Sequence, residues 1–220
     1  MKPEYSKAAD RAFGKLKGPS APNKRPVQAR SRFTVQAIYD GLVRIFQRDG
    51  WSGVSIRSLS VESGYAVGTI YDFFPDREAV LSGYVRHALQ ARYTRIATLP
   101  TAETWQTRVR QLVVATVGTA EPGSPPILPE IAHLEHRIAD NTHHRRVYEE
   151  LVAAWTIALA ECPDLPTLPD ARLRRLVLIA WGAFRYAWLA APDELKTGAY
   201  VDEVSDLLIA ALDPNCEVAG

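Results

Sequence analysis

The stretch Gly53–Leu81 decides the fold, and it reads Gly-Val-Ser-Ile-Arg-Ser-Leu-Ser-Val-Glu-Ser-Gly-Tyr-Ala-Val-Gly-Thr-Ile-Tyr-Asp-Phe-Phe-Pro-Asp-Arg-Glu-Ala-Val-Leu. Ser55 precedes the first apolar positions, where a serine caps a helix by accepting a bond from a backbone N–H. Gly64 stands where that helix should end, because glycine adopts the left-handed conformation at little cost. The pattern predicts a short helix followed by a glycine turn.

A second short helix is predicted from about Ala66 to Phe74. Apolar side chains recur at i, i+3 and i+7 from Val67 and share one face. Pro75 ends the helix, and Asp76 can cap the next one. Two short helices joined by a glycine turn are typical of a DNA-binding helix-turn-helix. The alternative is an ordinary helical packing unit in which the polar residues of the second helix are plain surface.

The order Ser-Gly-x-x-x-Gly-Thr-Ile-Tyr-x-Phe-Phe-x-x-Arg-Glu-x-x-Leu in residues 63–81 resembles the TetR family of bacterial transcriptional regulators. The run from Arg25 to Ile38 resembles the usual entry into that family's first helix. Together they cover residues 25–81, and beyond residue 95 the resemblance is only of general shape. The resemblance implies that the helix of residues 66–74 is the recognition helix, which enters the major groove of DNA.

The resemblance also carries DNA contacts to positions of this chain. Arg57 falls where a groove or phosphate contact is usual, and Tyr71 at the place of a phosphate-contacting tyrosine. Arg77 falls where the family usually has a phosphate-binding lysine, at a helix N-terminus that itself attracts phosphate. The expected DNA-binding residues are Arg32, Thr34, Arg57, Val67, Gly68, Thr69, Tyr71, Asp72 and Arg77.

The recognition helix departs from the family pattern in ways that weaken it. Ala66 stands where serine or threonine is usual, so a side-chain cap is missing. Val67 replaces a common cation, and Phe73 a polar aromatic residue. Asp72 brings a negative charge toward a polyanion, although an aspartate can accept a hydrogen bond from a cytosine N4. We therefore expect binding energy to come from outside this helix as well.

The 220 residues have the composition of an ordinary globular protein of one or two domains. Their charge, however, is distributed unevenly along the chain. Residues 1–32 hold nine basic and two acidic residues, a net charge of +7, which leaves −6 for the rest. Residues 1–29, the basic arm, are rich in Pro, Gly and Ser toward their end and are predicted to be largely flexible. The arm is expected to reach phosphates or a minor groove. The alternative is a tail that only solubilises the protein.

The chain is predicted to be all-α, because sustained alternation and hairpin signals are absent. We expect a helix-turn-helix DNA-binding domain over residues 30–95, a helical ligand-binding and dimerisation domain over 96–214 and a tail over 215–220. The expected helices outside the motif are Thr34–Arg48, Asp76 into the 90s, Ala102–Ala120, Leu128–Ala139, His143–Glu161, Ala171–Ala190 and Ala199–Leu212.

The last two helices are the best candidates for self-association. Their apolar residues follow helical spacing, and small residues there let another helix approach closely. The resemblance implies a homodimer through a four-helix bundle, which suits a near-palindromic DNA site. The expected interface residues are Leu176, Ala180, Ala183, Ala187, Val204 and Leu208. Periodicity alone does not separate this interpretation from an intramolecular core.

A pocket for a small-molecule effector, expected to be apolar or aromatic, is implied by the resemblance. The candidate lining residues are Trp105, His133, His136, Trp155, Phe184 and Trp188. For any one aromatic residue, plain core packing is the stronger alternative. No metal is expected although several histidines cluster, because ligands at a recognisable spacing are too few. No cofactor is expected either.

The function predicted is a transcriptional regulator, specifically a repressor that binds a palindromic operator as a homodimer and is released by its effector. The alternative is an all-helical small-molecule-binding protein or enzyme without specific DNA binding. The sequence contains no nucleophile turn, no phosphate-binding loop and no metal motif, so no enzyme is predicted. Two cysteines and the lack of a signal peptide or membrane span predict a cytoplasmic protein.

Overall fold

A computed structural model gives the fold of the chain. It describes residues 22–23, 29–117, 125–126, 131, 134, 139, 141–162, 164–165, 168–191, 193–196 and 198–213. The predicted helix over residues 128–139 therefore falls almost wholly outside the described residues. The same holds for most of the basic arm.

The described residues form eight α-helices and one short 3₁₀ helix, and they contain no strand. The all-α prediction is confirmed for this part of the chain. The helices are α1 (Ala29–Gly53), α2 (Ile56–Ser63), α3 (Val67–Phe73), α4 (Arg77–Ala97), α5 (Trp105–Val117), α6 (Asn141–Ala160), α7 (Asp170–Ala190) and α8 (Ala199–Leu212), with the 3₁₀ helix at Glu194–Lys196.

Helix α1 is longer at both ends than the sequence predicts. It begins at Ala29 instead of Thr34 and continues past Gly50, where the backbone is kinked at φ 65°. The sequence predicts the start at the first apolar repeat. The residues just before it include no helix breaker, so the helix extends through them. The predicted end at Gly50 is a kink followed by one further turn. The other described helix ends lie within three residues of those predicted.

The chain divides into two compact units, Met1–Ala88 and Leu89–Gly220, which we call the head and the body. In the head, α1 packs against α2, and α2 against α3. The predicted apolar stripe of α1 is buried, and it consists of Val35, Ile38, Leu42, Ile45 and Phe46. In the body, α5 packs against α6, α7 and α8. Among the described helices, none is long and apolar enough to cross a membrane.

Candidate nucleic-acid interface

Helix α2 is fixed at both ends by the residues that its sequence predicts. The Ser55 side chain accepts a hydrogen bond from the Ser58 N–H at 3.0 Å, and the Ser58 hydroxyl accepts one from the Ser55 N–H at 2.9 Å. Gly64 ends the helix in the left-handed conformation, at φ 75°. The Ser60 hydroxyl donates to the Tyr65 carbonyl at 2.7 Å and closes the turn. These short bonds set the direction in which the chain enters α3.

Helix α3 is only seven residues long and is held by its inner face. Ile70 is fully buried and Phe74, which ends the helix, is 1% exposed. Ala66 provides no side-chain cap, as its residue type predicts. Val67, the first residue of the helix, is 40% exposed, although its spacing from Ile70 predicts that the two share the buried face. Two apolar anchors therefore fix the recognition helix.

The outer surface of α3 is small and polar. Gly68, Tyr71 and Asp72 are exposed and Thr69 is half-buried. A Cβ placed on Gly68 meets no heavy atom within 4 Å, so nothing described inside the protein requires a glycine there. A glycine inside a helix costs about 1 kcal/mol relative to alanine. The bare backbone is therefore useful only to a molecule that approaches α3 from outside.

Two of the expected DNA-binding arginines are free for an external partner. Arg57 near the start of α2 and Arg32 in the first turns of α1 are both exposed. Neither makes a hydrogen bond or an ion pair with any residue that the structure describes. Their charges are thus available to phosphates.

Arg77, in contrast, is engaged within the head. Its Nη1 donates to the Val54 carbonyl at 2.8 Å, and its Nε to a Glu78 carboxylate oxygen at 3.1 Å. The guanidinium carbon lies 4.6 Å from the centre of the Trp51 ring, in cation–π geometry. Arg77 therefore joins the first residue of α4 to the segment between α1 and α2. Asp76 caps the same helix, as predicted, by accepting the Ala79 N–H at 2.6 Å.

Thr34 does not lie on the surface where a DNA contact needs it. It is 6% exposed and lies one turn before Ile38 on the buried face of α1. The sequence places Thr34 at the start of α1, whereas the helix begins five residues earlier and turns Thr34 into the core. With its side chain covered in the protomer, Thr34 is less accessible to DNA than Arg32 or Arg57.

Two other arginines of α1 are occupied by one carboxylate. Glu62 of α2 accepts Arg44 Nε at 2.7 Å and Arg48 Nη1 at 3.1 Å. These hydrogen bonds hold the pKa of Glu62 below its usual value. The pairing ties α1 to α2 on their exposed side, and it leaves these two arginines less available to DNA than Arg57.

A contact between Asn23 of the basic arm and α3 is not among the sequence-based predictions. The Asn23 N–H donates to the Phe73 carbonyl at 2.6 Å, and the Asn23 side-chain amide donates to the Tyr71 carbonyl at 3.1 Å. Pro22 packs against α4, where its Cγ lies 3.3 Å from a Cβ placed on Gly83. Pro75 is the signal that was available in the sequence. It lacks the N–H that would otherwise satisfy the Tyr71 carbonyl.

In the body, the described candidates for a ligand pocket are core residues. Trp105, Trp155 and Phe184 are buried, and the Trp155 indole N–H donates to the Thr116 hydroxyl at 3.0 Å. The Arg92 guanidinium carbon lies 5.5 Å from the centre of the Phe184 ring. The remaining candidates fall outside the described side chains, and they are His133, His136 and Trp188. In the described residues no group of three or more metal-ligating side chains occurs.

Most of the expected dimer residues are buried within one protomer. Leu176, Ala180, Val204 and Leu208 are at most 9% exposed, and of the expected set only Ala183 is fully on the surface, with Ala187 half-buried. These four residues face the core of their own protomer, which was the alternative that periodicity left open. The exposed face of α7 is apolar as well. We call it the apolar stripe, and it consists of Leu178, Ile179, Gly182, Ala183 and Tyr186.

Comparison with known proteins agrees with this geometry. The family model for bacterial regulatory proteins of the tetR family matches residues 38–83, which span α1 to the first turns of α4. No curated protein sequence matches the chain.

Two solved structures illustrate the likeness in fold, and a third aligns with a lower score. A transcriptional regulator from Rhodococcus sp. RHA1 has a TM-score of 0.58 at 12% identity, with 82% of this chain and 94% of that one covered. The superantigen pfit has a TM-score of 0.52 at 18% identity, with 92% and 96% covered. A TetR transcriptional regulator from Rhodococcus sp. RHA1 has a TM-score of 0.48 at 17% identity, with 84% and 100% covered.

The family match therefore falls on the head, where the capped helix α2, its glycine turn and the short helix α3 form a helix-turn-helix. Residues 38–83 of the head are therefore a DNA-binding domain of the tetR type found in bacterial regulatory proteins.

Proposed function

We propose that the protein is a repressor that binds a palindromic operator as a homodimer and is released by a small-molecule effector. The observation that carries the DNA-binding half is Gly68, exposed inside α3 with no neighbour within 4 Å of a Cβ. A glycine lowers the stability of its own helix, but it exposes the helix backbone and so suits close approach of that backbone to DNA. The unpaired charge of Arg57 on the adjoining helix supplies an attraction for phosphate.

The proposed DNA surface consists of exposed or half-buried residues. Tyr71 is 49% exposed and offers its hydroxyl to a phosphate, while Asp72 accepts from a base. Arg77 contributes mainly by holding the head together, since two of its N–H groups are bound inside the protein. The surface comprises Arg32, Arg57, Val67, Gly68, Thr69, Tyr71 and Asp72.

Dimerisation is proposed to use the apolar stripe of α7. Leu178 and Ile179 are more than half exposed, and Tyr186 is 71% exposed. The residues of the apolar stripe recur every three to four positions, so they lie on one side of the helix. Gly182 lies between them and has no heavy atom within 4 Å of a Cβ, which permits a second helix to approach closely. Exposed apolar side chains concentrated on one face are typical of an interface.

The effector is proposed to bind in the body, among its buried aromatic residues. Two polar atoms on one face of α5 support a ligand that also forms hydrogen bonds. Nε of Arg108, a side chain only 4% exposed, and Oε1 of Gln111 are buried without a partner among the described residues. Such groups are rare, because each one costs free energy when it is left unsatisfied. We therefore expect an effector with an aromatic or apolar frame and at least one polar group.

Release is proposed to act through α4, which contains residues of both units. In the body, the Tyr93 hydroxyl donates to the Val147 carbonyl of α6 at 3.3 Å, and Arg92 lies over the ring of Trp181. An effector that shifts α6 or α7 therefore acts on α4 directly. By linkage, DNA must lower the effector's affinity by the factor by which the effector lowers that of DNA.

The deciding experiment is a footprint on the DNA that flanks the protein's own gene, with binding measured at several salt concentrations. We expect a protected, near-palindromic site and an affinity that falls steeply with salt. Protein that is folded and dimeric but protects no specific site would overturn the proposal. A screen of small molecules for loss of that footprint then tests release.

A further inference from the structure

The C-terminal end of the recognition helix α3 has a shortage of hydrogen-bond donors. The last four carbonyls of a helix have no N–H partner within the helix itself. Here Ile70 is satisfied by the Phe74 N–H at 2.9 Å. The Tyr71 carbonyl would normally accept a hydrogen bond from the N–H four residues later. Position 75 is a proline, which has no N–H. The sequence of the helix-turn-helix therefore leaves the Tyr71 carbonyl without a local donor.

Asn23 of the basic arm supplies the missing donors. Its side-chain amide donates to the Tyr71 carbonyl at 3.1 Å, and its backbone N–H donates to the Phe73 carbonyl at 2.6 Å. One residue 48 positions away in the chain thus satisfies two carbonyls of a seven-residue helix. Pro22 fixes the approach by packing at Gly83 of α4, where any side chain would collide with the Tyr39 hydroxyl at 2.5 Å.

We propose that Asn23 is a positioning residue for DNA recognition, which holds the last turn of α3 and so orients Tyr71 and Asp72 toward DNA. This inference rests on the proposed DNA-binding function. Helix α3 has no side-chain cap at its start, so the bonds of Asn23 are a large share of what fixes its ends. Asn23 and the recognition helix then act together, so this residue contributes geometry where the arm was expected to contribute charge.

The test is Asn23→Leu in the full chain, with the operator affinity and its salt dependence measured. Leucine keeps the size of the side chain and the charge but removes the amide donor. The loss of one such bond is expected to weaken operator binding by about three- to tenfold. The slope of log affinity against log salt should stay unchanged, because no phosphate contact is removed. Affinity for unrelated DNA should change much less than affinity for the operator.

A second readout reports on the helix itself. Hydrogen exchange at the end of α3 should accelerate in Asn23→Leu, while exchange in the core of α1 stays as in the wild type. The matched control is Asn141→Leu, the same chemical change at an exposed residue of the body. Equal operator affinity of Asn23→Leu and wild type would overturn the inference and leave the proposed function intact. Absence of any operator binding by the wild type would instead overturn the proposed function.

Discussion

Helices α3 and α7 both contain an interior glycine that their own surroundings do not require. A Cβ on Gly68 or on Gly182 meets no heavy atom within 4 Å, and both residues are exposed. The two helices otherwise differ. Helix α3 has seven residues and a small, polar outer face, whereas α7 has twenty-one residues and an apolar one. The same residue type thus occurs on two exposed surfaces of different chemistry, one small and polar and the other apolar.

Gly83 shows what a glycine with an internal purpose looks like. A Cβ there meets the Tyr39 hydroxyl at 2.5 Å and the Phe74 ring at 3.1 Å. The close packing of α4 explains that glycine completely. Because a helical glycine costs about 1 kcal/mol, the two unexplained ones point to contacts outside the protomer. The following experiments test whether those contacts are DNA and a second copy of the chain.

The largest effect is expected from a charge in the apolar stripe. Ile179→Asp places a carboxylate where the proposed dimer buries a side chain that is 57% exposed in the protomer. We expect a folded monomer in sedimentation and a loss of operator affinity of about a hundredfold or more, because the two heads no longer bind together. The matched control is Ile157→Asp on α6, which is 55% exposed and lies outside the stripe. A dimeric Ile179→Asp protein would remove α7 from the proposed interface.

The two glycines provide a direct comparison. Gly68→Ala and Gly182→Ala should each stabilise their helix by about 0.5–1 kcal/mol in the protomer. Gly68→Ala should nevertheless weaken operator binding by about 1–3 kcal/mol, the range of one good base contact, and leave dimerisation unchanged. Gly182→Ala should weaken the dimer and leave binding of a single half-site unchanged. Gel shifts and sedimentation on both variants separate the two outcomes, and equal operator affinity of Gly68→Ala and wild type would argue against close approach at α3.

A smaller effect separates two arginines that the sequence treats alike. Arg57→Ala should leave the thermal midpoint unchanged and reduce the salt slope of DNA binding by about one. Arg77→Ala should instead lower the free energy of unfolding by about 1–2 kcal/mol, since it loses the bond to Val54 and the contact with Trp51. Thermal melts and salt titrations of both variants measure the difference. A reduced salt slope with full stability in Arg77→Ala would restore its role as a phosphate contact.

The smallest expected effect is a pH dependence of the head. His87 of α4 stacks on Tyr39, with ring centres 5.4 Å apart, and burial lowers its pKa below the usual 6.5. The unfolded chain therefore takes up a proton first as pH falls, so the head loses stability below about pH 6.5. His87→Gln should show a shallower decline in thermal midpoint between pH 7.5 and 5. A decline as steep as that of the wild type would assign the pH dependence to other groups.

Local signals predicted the helix-turn-helix well, because its determinants are close in sequence. The cap at Ser55, the left-handed Gly64 and the missing cap at Ala66 each follow from one residue type and its neighbours. The burial of Thr34 and the engagement of Arg77 were not predictable in this way. They depend on where α1 begins and on a carbonyl 23 positions away in the chain.

The burial of four expected interface residues within the protomer has a related reason. Apolar residues lie on both faces of α7, and periodicity identified the face of Leu176 and Ala180 that packs inside the protomer. A sequence does not state which of two apolar faces its own chain will cover. The contact of Asn23 with α3 is likewise long-range, and only the proline at position 75 hinted that a donor was needed.

The anchoring of Arg77 has a mechanical consequence for signalling. Because its side chain binds the Val54 carbonyl and covers Trp51, the first residue of α4 cannot rotate without pulling the end of α1 and the start of α2 with it. Any movement of this end of α4 within the head is therefore coupled to the segment that leads into the helix-turn-helix.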